Sequence, residues 1–278
     1  MSNFFVPRFT RLHKSFSTAG IFLAEPAANA TPRIFVPEGK SPTSIYNISV
    51  SLGPIEQAIY FVVSGLAMKA NTTISPGTES FSSKTIGQLI FQDRDFTVAA
   101  GATPIPAIDT TYAELARCMR YKSDSRDVLR RIKHGLWNLS FTKRSETGTS
   151  FDCEAQLAEV MVLPSKKLRI AIDPWARLAM TDVRQAVTIN LDEYFSLPTG
   201  HTRLLFAKLA ATIQPGNSFK HNLKSLVHSI WGKEQSSAEV TSRVALIEKS
   251  MSAMVEMGWR FEVTGDCAIV TRPKKAET

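Results

Sequence analysis

Between Arg117 and Arg144 the sequence reads RCMRYKSDSRDVLRRIKHGLWNLSFTKR, with nine lysines and arginines against two acids, Asp124 and Asp127. Such side chains make no covalent bonds at neutral pH. Set this densely, they neutralise a polyanion, above all a run of phosphates. At about 100° per residue, Val128, Ile132, Leu136 and Leu139 share one face of a helix SRDVLRRIKHGLWNL, while Arg126, Arg130 and Lys133 share the opposite face. The apolar stripe buries and the cationic stripe faces outward. A solvated helix face carries charge as well, so phosphate contact and plain solubility both remain open as readings.

A second candidate set lies near the end of the chain, in EVTSRVALIEKSMSAMVEMGWRFEVTGDCAIVTRPKK. Val240, Val244, Ile247, Met251, Met254 and Val255 line one stripe of a helix, and Thr241, Ser242, Arg243 and Lys249 fall on the remaining surface. Small hydroxyls crowd its N-terminal end, where helix amides and hydroxyls can approach phosphates and base edges closely. Arg272, Lys274 and Lys275 follow on a tail that can track a phosphate backbone. Against this, Glu239, Glu248 and Glu256 oppose the two cations of the helix. A capped helix on a core with a solubilising tail would show the same residues.

Chemistry that breaks bonds has no support in the sequence. No GxxxxGK[ST] loop is present for a nucleotide, and neither GxSxG nor HExxH occurs. The five histidines lack metal-site spacing, and no His pair accompanies the tyrosines as a relaxase-type nucleophile would require. Cys118, Cys153 and Cys267 are odd in number and form no CxxC, which points away from a disulfide framework or a Cys-rich zinc site and towards a reducing cytoplasm. We therefore expect no enzymatic activity, no cofactor and no metal. No apolar run approaches the roughly 20 residues a membrane helix needs, so no membrane partner is expected. The balance of 33 Lys and Arg against 25 Asp and Glu, a formal +8 over 278 residues, favours a polyanionic partner. The basic first two dozen residues read as a mobile arm or, less simply, as a transit-like segment.

Elements of a definite order must position these cations. PIEQAIYFVVSGLAMKA reads as a largely buried helix with Pro54 at its first position, and SSKTIGQLIF as a short helix. Thr110 and Thr111 can cap TYAELARCM, the polar RYKSDS breaks it, and the cationic helix follows. Next come two strands around the turn-forming SETGTS, with Lys143 and Arg144 at the base of the turn. Helix, helix, basic hairpin is the order of a winged helix. LRIAID and a helix DPWARLAM lead on to AVTINLDEYFSL and a second apolar helix, HTRLLFAKLAATI. The order then repeats: SFKHN, a helix LKSLVHSIW closed by Gly232, the long amphipathic helix, and strands WRFEV and AIVTRP. The expected fold is α+β, with two tandem winged-helix domains. The segments are an N-terminal arm at 1–43, a first domain at 44–164, a connector at 165–185 and a second domain at 186–278.

HTRLLFAKLAATIQPGNSFKHNLKSLVHSIWG, the helix ending MVEMGW and the terminal IVTRPK together resemble the C-terminal part of the IncQ-type plasmid replication initiators, the RepC family. The likeness continues upstream through LGPIEQAIYFVVSGLAMKA, TYAELARCM and LRRIKHGLWNLSF, and it covers the chain from about residue 17 to its end. It implies a bacterial, cytoplasmic initiator that binds direct repeats (iterons) in double-stranded origin DNA and opens an adjacent A·T-rich stretch. It also implies partners: the replicative helicase, other replication proteins, and a second copy of the chain through self-association. The DNA-contacting residues would be Arg126, Arg130, Lys133, Lys143, Arg144, Thr241, Ser242, Arg243, Lys249, Arg272 and Lys274. The chain departs from the family pattern in the helix at 239–250, where members tend to carry several more cations than Arg243 and Lys249. The rival reading is a winged-helix transcriptional regulator on a palindromic operator.

Overall fold

A computed structural model of the chain describes residues 6–13, 22–24, 33–35, 45–48, 52–70, 73–74, 105–121, 138–144, 150–156, 158–163, 167–172, 186–198, 200–232 and 236–274. In chain order the elements are β1 (Phe9–His13), β2 (Arg33–Phe35), β3 (Ile45–Ile48), α1 (Pro54–Ala70), β4 (Thr73–Ile74), β5 (Ile105–Thr110) and α2 (Tyr112–Cys118). Then come β6 (Asn138–Arg144), β7 (Ser150–Gln156), β8 (Ala158–Val162), β9 (Leu168–Ile172), β10 (Ala186–Asn190), α3 (Leu191–Ser196) and α4 (Gly200–Thr212). Last are β11 (Ser218–Asn222), α5 (Leu223–Trp231), α6 (Ser237–Met254), a 3-10 turn (Val255–Met257), β12 (Arg260–Thr264) and β13 (Cys267–Thr271). The fold is α+β. The helices expected at SSKTIGQLIF and DPWARLAM lie outside the described residues, as does SRDVLRRIKHGLWNL up to residue 137, whereas its last two residues, Asn138 and Leu139, begin the strand β6 instead of ending a helix.

Local signals account for the helix starts. Pro54 opens α1, where a missing N–H costs nothing, and the Glu56 carboxylate turns back to accept the Gly53 N–H at 2.9 Å. In α2 the Thr111 hydroxyl accepts the Glu114 N–H while the Glu114 carboxylate accepts the Thr111 N–H, a reciprocal cap. Residues 58–64 of α1 are buried without interruption. A helix covered on all sides shows no amphipathic stripe, which explains its uniformly apolar sequence.

The same connectivity occurs twice. In the first unit β5, β8 and β9 form antiparallel pairs in the order β5-β9-β8, with β4 added beyond β5. In the second unit the order is β11-β13-β12. Each set has a helix before its first strand, a helix directly after it, and its last strand in the middle. The hairpin that follows the cationic segment is placed differently from the sequence expectation: β6 and β7 belong to a separate sheet, β2-β3-β6-β7. The strand pair matching β12–β13 is β8–β9. Since β9 is the central strand of the first unit's sheet, the first unit extends into the span expected to be a connector.

The two units share one hydrophobic core. Tyr194 of α3 is fully buried, its ring 5.1 Å from Phe61 of α1 and 6.5 Å from Phe206 of α4. The Phe206 ring in turn lies 5.9 Å from Trp259. The Tyr194 hydroxyl donates to Gln57 Oε1 at 3.0 Å, which satisfies two polar groups inside the seam. Rings of this size contribute about 1.5–3 kcal/mol each when buried, so the seam is a major source of stability. The N-terminal segment adds to it. β1 pairs antiparallel with β10, Ala24 N–H bonds Ile230 O, and Leu23 N–H bonds Leu52 O. Phe9–His13, expected to be part of a mobile arm, is thus a strand.

Gly65 of α1 marks how closely β1 is packed. A Cβ there would sit 2.9 Å from Pro7 Cβ and 3.0 Å from the Phe9 carbonyl oxygen. Helix propensity alone favours Gly65→Ala by about 1 kcal/mol. We expect the opposite sign, a loss of roughly 1–3 kcal/mol from overpacking against a backbone that must shift, read as a lower urea midpoint and faster proteolysis near residue 10.

Candidate nucleic-acid interface

α6 begins at Ser236, whose hydroxyl oxygen accepts the Glu239 N–H at 3.3 Å while the Glu239 carboxylate accepts the Ser236 N–H at 2.8 Å. These bonds hold the Glu239 carboxyl below its usual range, so this acid serves the cap. Ile247, Ser250, Met251 and Met254 form the buried stripe, and Val240 and Val244 are half-buried at its start. Ser250 joins the stripe because its hydroxyl shares a hydrogen bond at 2.9 Å with Thr202 of α4. Val255 departs from the expected stripe and is 54% exposed. The helix tightens there into a 3-10 turn, which ends on Gly258 at φ 85° and rotates the side chain off the core.

The candidate residues of α6 are not equivalent. Thr241 and Ser242 are exposed, yet each hydroxyl donates its proton to a helix carbonyl, Ser237 O at 3.0 Å and Glu239 O at 2.9 Å. In that state their oxygens are acceptors, suited to amino groups on base edges and unsuited to phosphates. Arg243 is half-buried with its guanidinium 5.5 Å from the Trp231 ring, so a cation–π contact with α5 orients it. Lys249 is exposed.

Arg272 requires a correction. The sequence placed it on a mobile, phosphate-tracking tail, but its guanidinium donates to Ala210 O and Ile213 O at the end of α4 and to Thr188 O of β10, at 2.5, 3.0 and 3.2 Å. It also lies 5.8 Å from the Trp259 ring. Burial pulls its pKa down while the charge of Glu193 holds it up, and burial in turn pushes the Glu193 carboxyl up. A cation with three carbonyl acceptors, a ring and a carboxylate around it ties the sheet to α4 and β10. Lys274 is exposed and crosses Gly216, while Lys275 lies outside the described residues.

In the first unit Arg126, Arg130 and Lys133 lie outside the described residues. Lys143 and Arg144 end β6, opposite Phe151 and Ser150 of β7 and Tyr46 and Ile45 of β3. Arg120, from the same cationic run, bonds Asp192 at the start of α3 together with Arg8. Sequence reasoning missed the exposed cations Lys220, Lys224 and Arg260 of the second unit. Strand alternation in SFKHN and WRFEV would have put Lys220 and Arg260 on an outer face.

The turn between β12 and β13 is Gly265-Asp266, with Gly265 at φ 57° in open space. A left-handed residue in this first position is what a two-residue hairpin needs, and glycine supplies it without strain. Among the described residues, no group of His, Cys, Asp or Glu is arranged to hold a metal ion, and no helix is long and apolar enough to cross a membrane. The pieces amount to an outward helix with acceptor hydroxyls, a tight hairpin beside it, and flanking cations.

A family model for Replication protein C (RepC) matches residues 88–274, from ahead of β5 to Lys274. The chain belongs to the RepC family. RepC membership makes it a replication initiator acting on origin DNA. Among curated proteins, none matches in sequence. Among solved structures, the crystal structure of selenomethionine derivatives of domains 2 and 3 of RctB is similar over 94% of this chain and 99% of that one, at 8% identity and a TM-score of 0.48.

Arg272 and Lys249 separate structural from surface cations in this RepC chain. Arg272→Ala leaves the Ala210, Ile213 and Thr188 carbonyls without their charged donor, and we expect a loss of on the order of 2–3 kcal/mol in urea denaturation. Lys249→Ala should stay within about 0.5 kcal/mol of the parent. Equal effects of the two substitutions would contradict this division.

Proposed function

We propose that this RepC chain initiates plasmid replication by gripping direct repeats at the origin with two winged-helix units and opening an adjacent A·T-rich stretch so that the replicative helicase can load. The recurrence of one strand order, β5-β9-β8 and β11-β13-β12, each with a helix ahead of its first strand and another directly after it, carries this reading. In the second unit α6 enters the major groove. There Thr241 and Ser242 accept hydrogen bonds from base amino groups, and Arg243 reaches out from its seat on Trp231. Lys249 and Lys274 meet phosphates, and β12–β13 is the wing. In the first unit Arg126, Arg130 and Lys133 meet the duplex and β8–β9 is the wing, while the β6–β7 hairpin offers Lys143 and Arg144 as further backbone contacts.

Opening then draws on binding energy, with no catalytic residue. Bending or unstacking duplex DNA costs a few kcal/mol per site, which several chains bound in array, and associating with one another, can supply. The rigid seam between the units favours direct repeats, because one chain then presents two DNA-binding units in fixed relation to a continuous duplex.

Footprinting on the replicon's own origin is the test, with protection expected over tandem direct repeats beside an A·T-rich tract. A symmetric footprint on an isolated palindrome would replace this reading with that of a transcriptional regulator. Arg130→Ala with Lys133→Ala should lower duplex affinity and reduce the salt slope by about 2, roughly one for each lost phosphate contact. An unchanged slope would remove the first unit's cations from the interface.

A further inference from the structure

With Arg272 committed to the core and Arg243 resting on Trp231, the second unit needs another source of phosphate contacts beside α6. Lys224 stands at the start of α5, where β11 ends, and its ammonium pairs at 3.1 Å with Asp266 Oδ2 at the tip of the β12–β13 hairpin. The two side chains are 58% and 70% exposed. A second bond underlies the pair, from the Leu223 N–H to the Asp266 carbonyl oxygen at 2.9 Å, so the hairpin tip is held beside α5 whether or not the ion pair forms. An ion pair this exposed contributes little to stability, since solvent screens it and ordering two side chains offsets the attraction. Its carboxylate can therefore be exchanged for another anion at small cost.

We propose that Lys224 is a DNA-phosphate contact and that Asp266 occupies it intramolecularly, acting as a brake on DNA affinity. This rests on the reading of β12–β13 as a wing. When the hairpin meets the duplex, the Lys224 ammonium leaves the Asp266 carboxylate for a backbone phosphate, and the acid that remains at the tip repels the same backbone. Net gain from the contact is smaller than a lone lysine would give. The second unit thus trades affinity for a weaker grip on DNA of arbitrary sequence, which binds by phosphate contacts alone.

The test measures fluorescence anisotropy across a salt series, using a duplex with the direct repeats that wild-type protein protects and a shuffled duplex. Asp266→Asn should bind both duplexes roughly three- to tenfold more tightly at low salt, with a proportionally larger gain on the shuffled one, and with a salt slope steeper by up to about 1. Lys224→Ala should bind both more weakly and with a slope shallower by about 1. In the Lys224→Ala background, Asp266→Asn should recover less than half of its gain. Thermal melts of all variants should match the parent, and Asp266→Ser repeats the test should Asn disturb the turn. Unchanged or weaker binding by Asp266→Asn, with wild type protecting the repeats, overturns the brake. A gain that survives intact without Lys224 overturns the exchange. If wild type protects no DNA at all, the initiator reading fails first.

Discussion

The buried contact between α1 and α3 determines what the rest of the chain can do. Tyr194, Phe61 and Phe206 join two units that repeat the same strand order, and the Tyr194–Gln57 hydrogen bond lets a phenol lie fully inside that join. A shared core is far stiffer than a linker, because moving one unit against the other would open a cavity lined with rings. Pro54 at the start of α1 also sits against Gly200 at the start of α4, where a Cβ would come within 2.8 Å of the proline ring. The N-terminal ends of α1 and α4 are therefore fixed against each other. Each unit is thus held at a set distance and angle from the other.

This constraint accounts for where several cations go. Arg8 and Arg120 converge on Asp192, and Arg203 caps the end of α3 through the Leu197 and Phe195 carbonyls while lying over the Tyr194 and Phe195 rings. Arg272 closes the far side. Arginine suits this use, since its planar group bonds several carbonyls at once and tolerates a ring beneath it. A formal +8 thus overstates the charge free to meet DNA, because part of it is spent within the fold.

Much of the second unit was legible in the sequence, because its elements follow local rules: Asn222, Ser236 and Gly232 bound their helices, and Gly265-Asp266 turns a hairpin. Pairing between distant segments was not. Nothing near β6 says that it pairs with β3 rather than standing beside β5, and the partnership of β1 with β10 spans most of the chain. Arg272 shows the same limit in a single residue. In TRPK it is one cation among others, and only the position of the α4 carbonyls makes it structural. Val255 failed for a local reason, since the helical period was extended one residue into a 3-10 turn.

The modest charge of α6 follows from this division. Thr241 and Ser242 keep their protons on helix carbonyls, so on the proposed reading they contribute selectivity as acceptors and almost no electrostatic attraction. On the proposed reading, electrostatic affinity falls to Lys249 on the helix, to Lys274 and Lys224 around it, and to the cationic run of the first unit. Separating readout from attraction has a physical advantage for a protein that must find origin DNA among many other sequences. Phosphate contacts raise binding everywhere alike, whereas a buried or base-facing hydrogen bond left unmade penalises the wrong sequence. A helix with fewer cations loses affinity on every duplex, and loses proportionally more of it where base contacts cannot compensate.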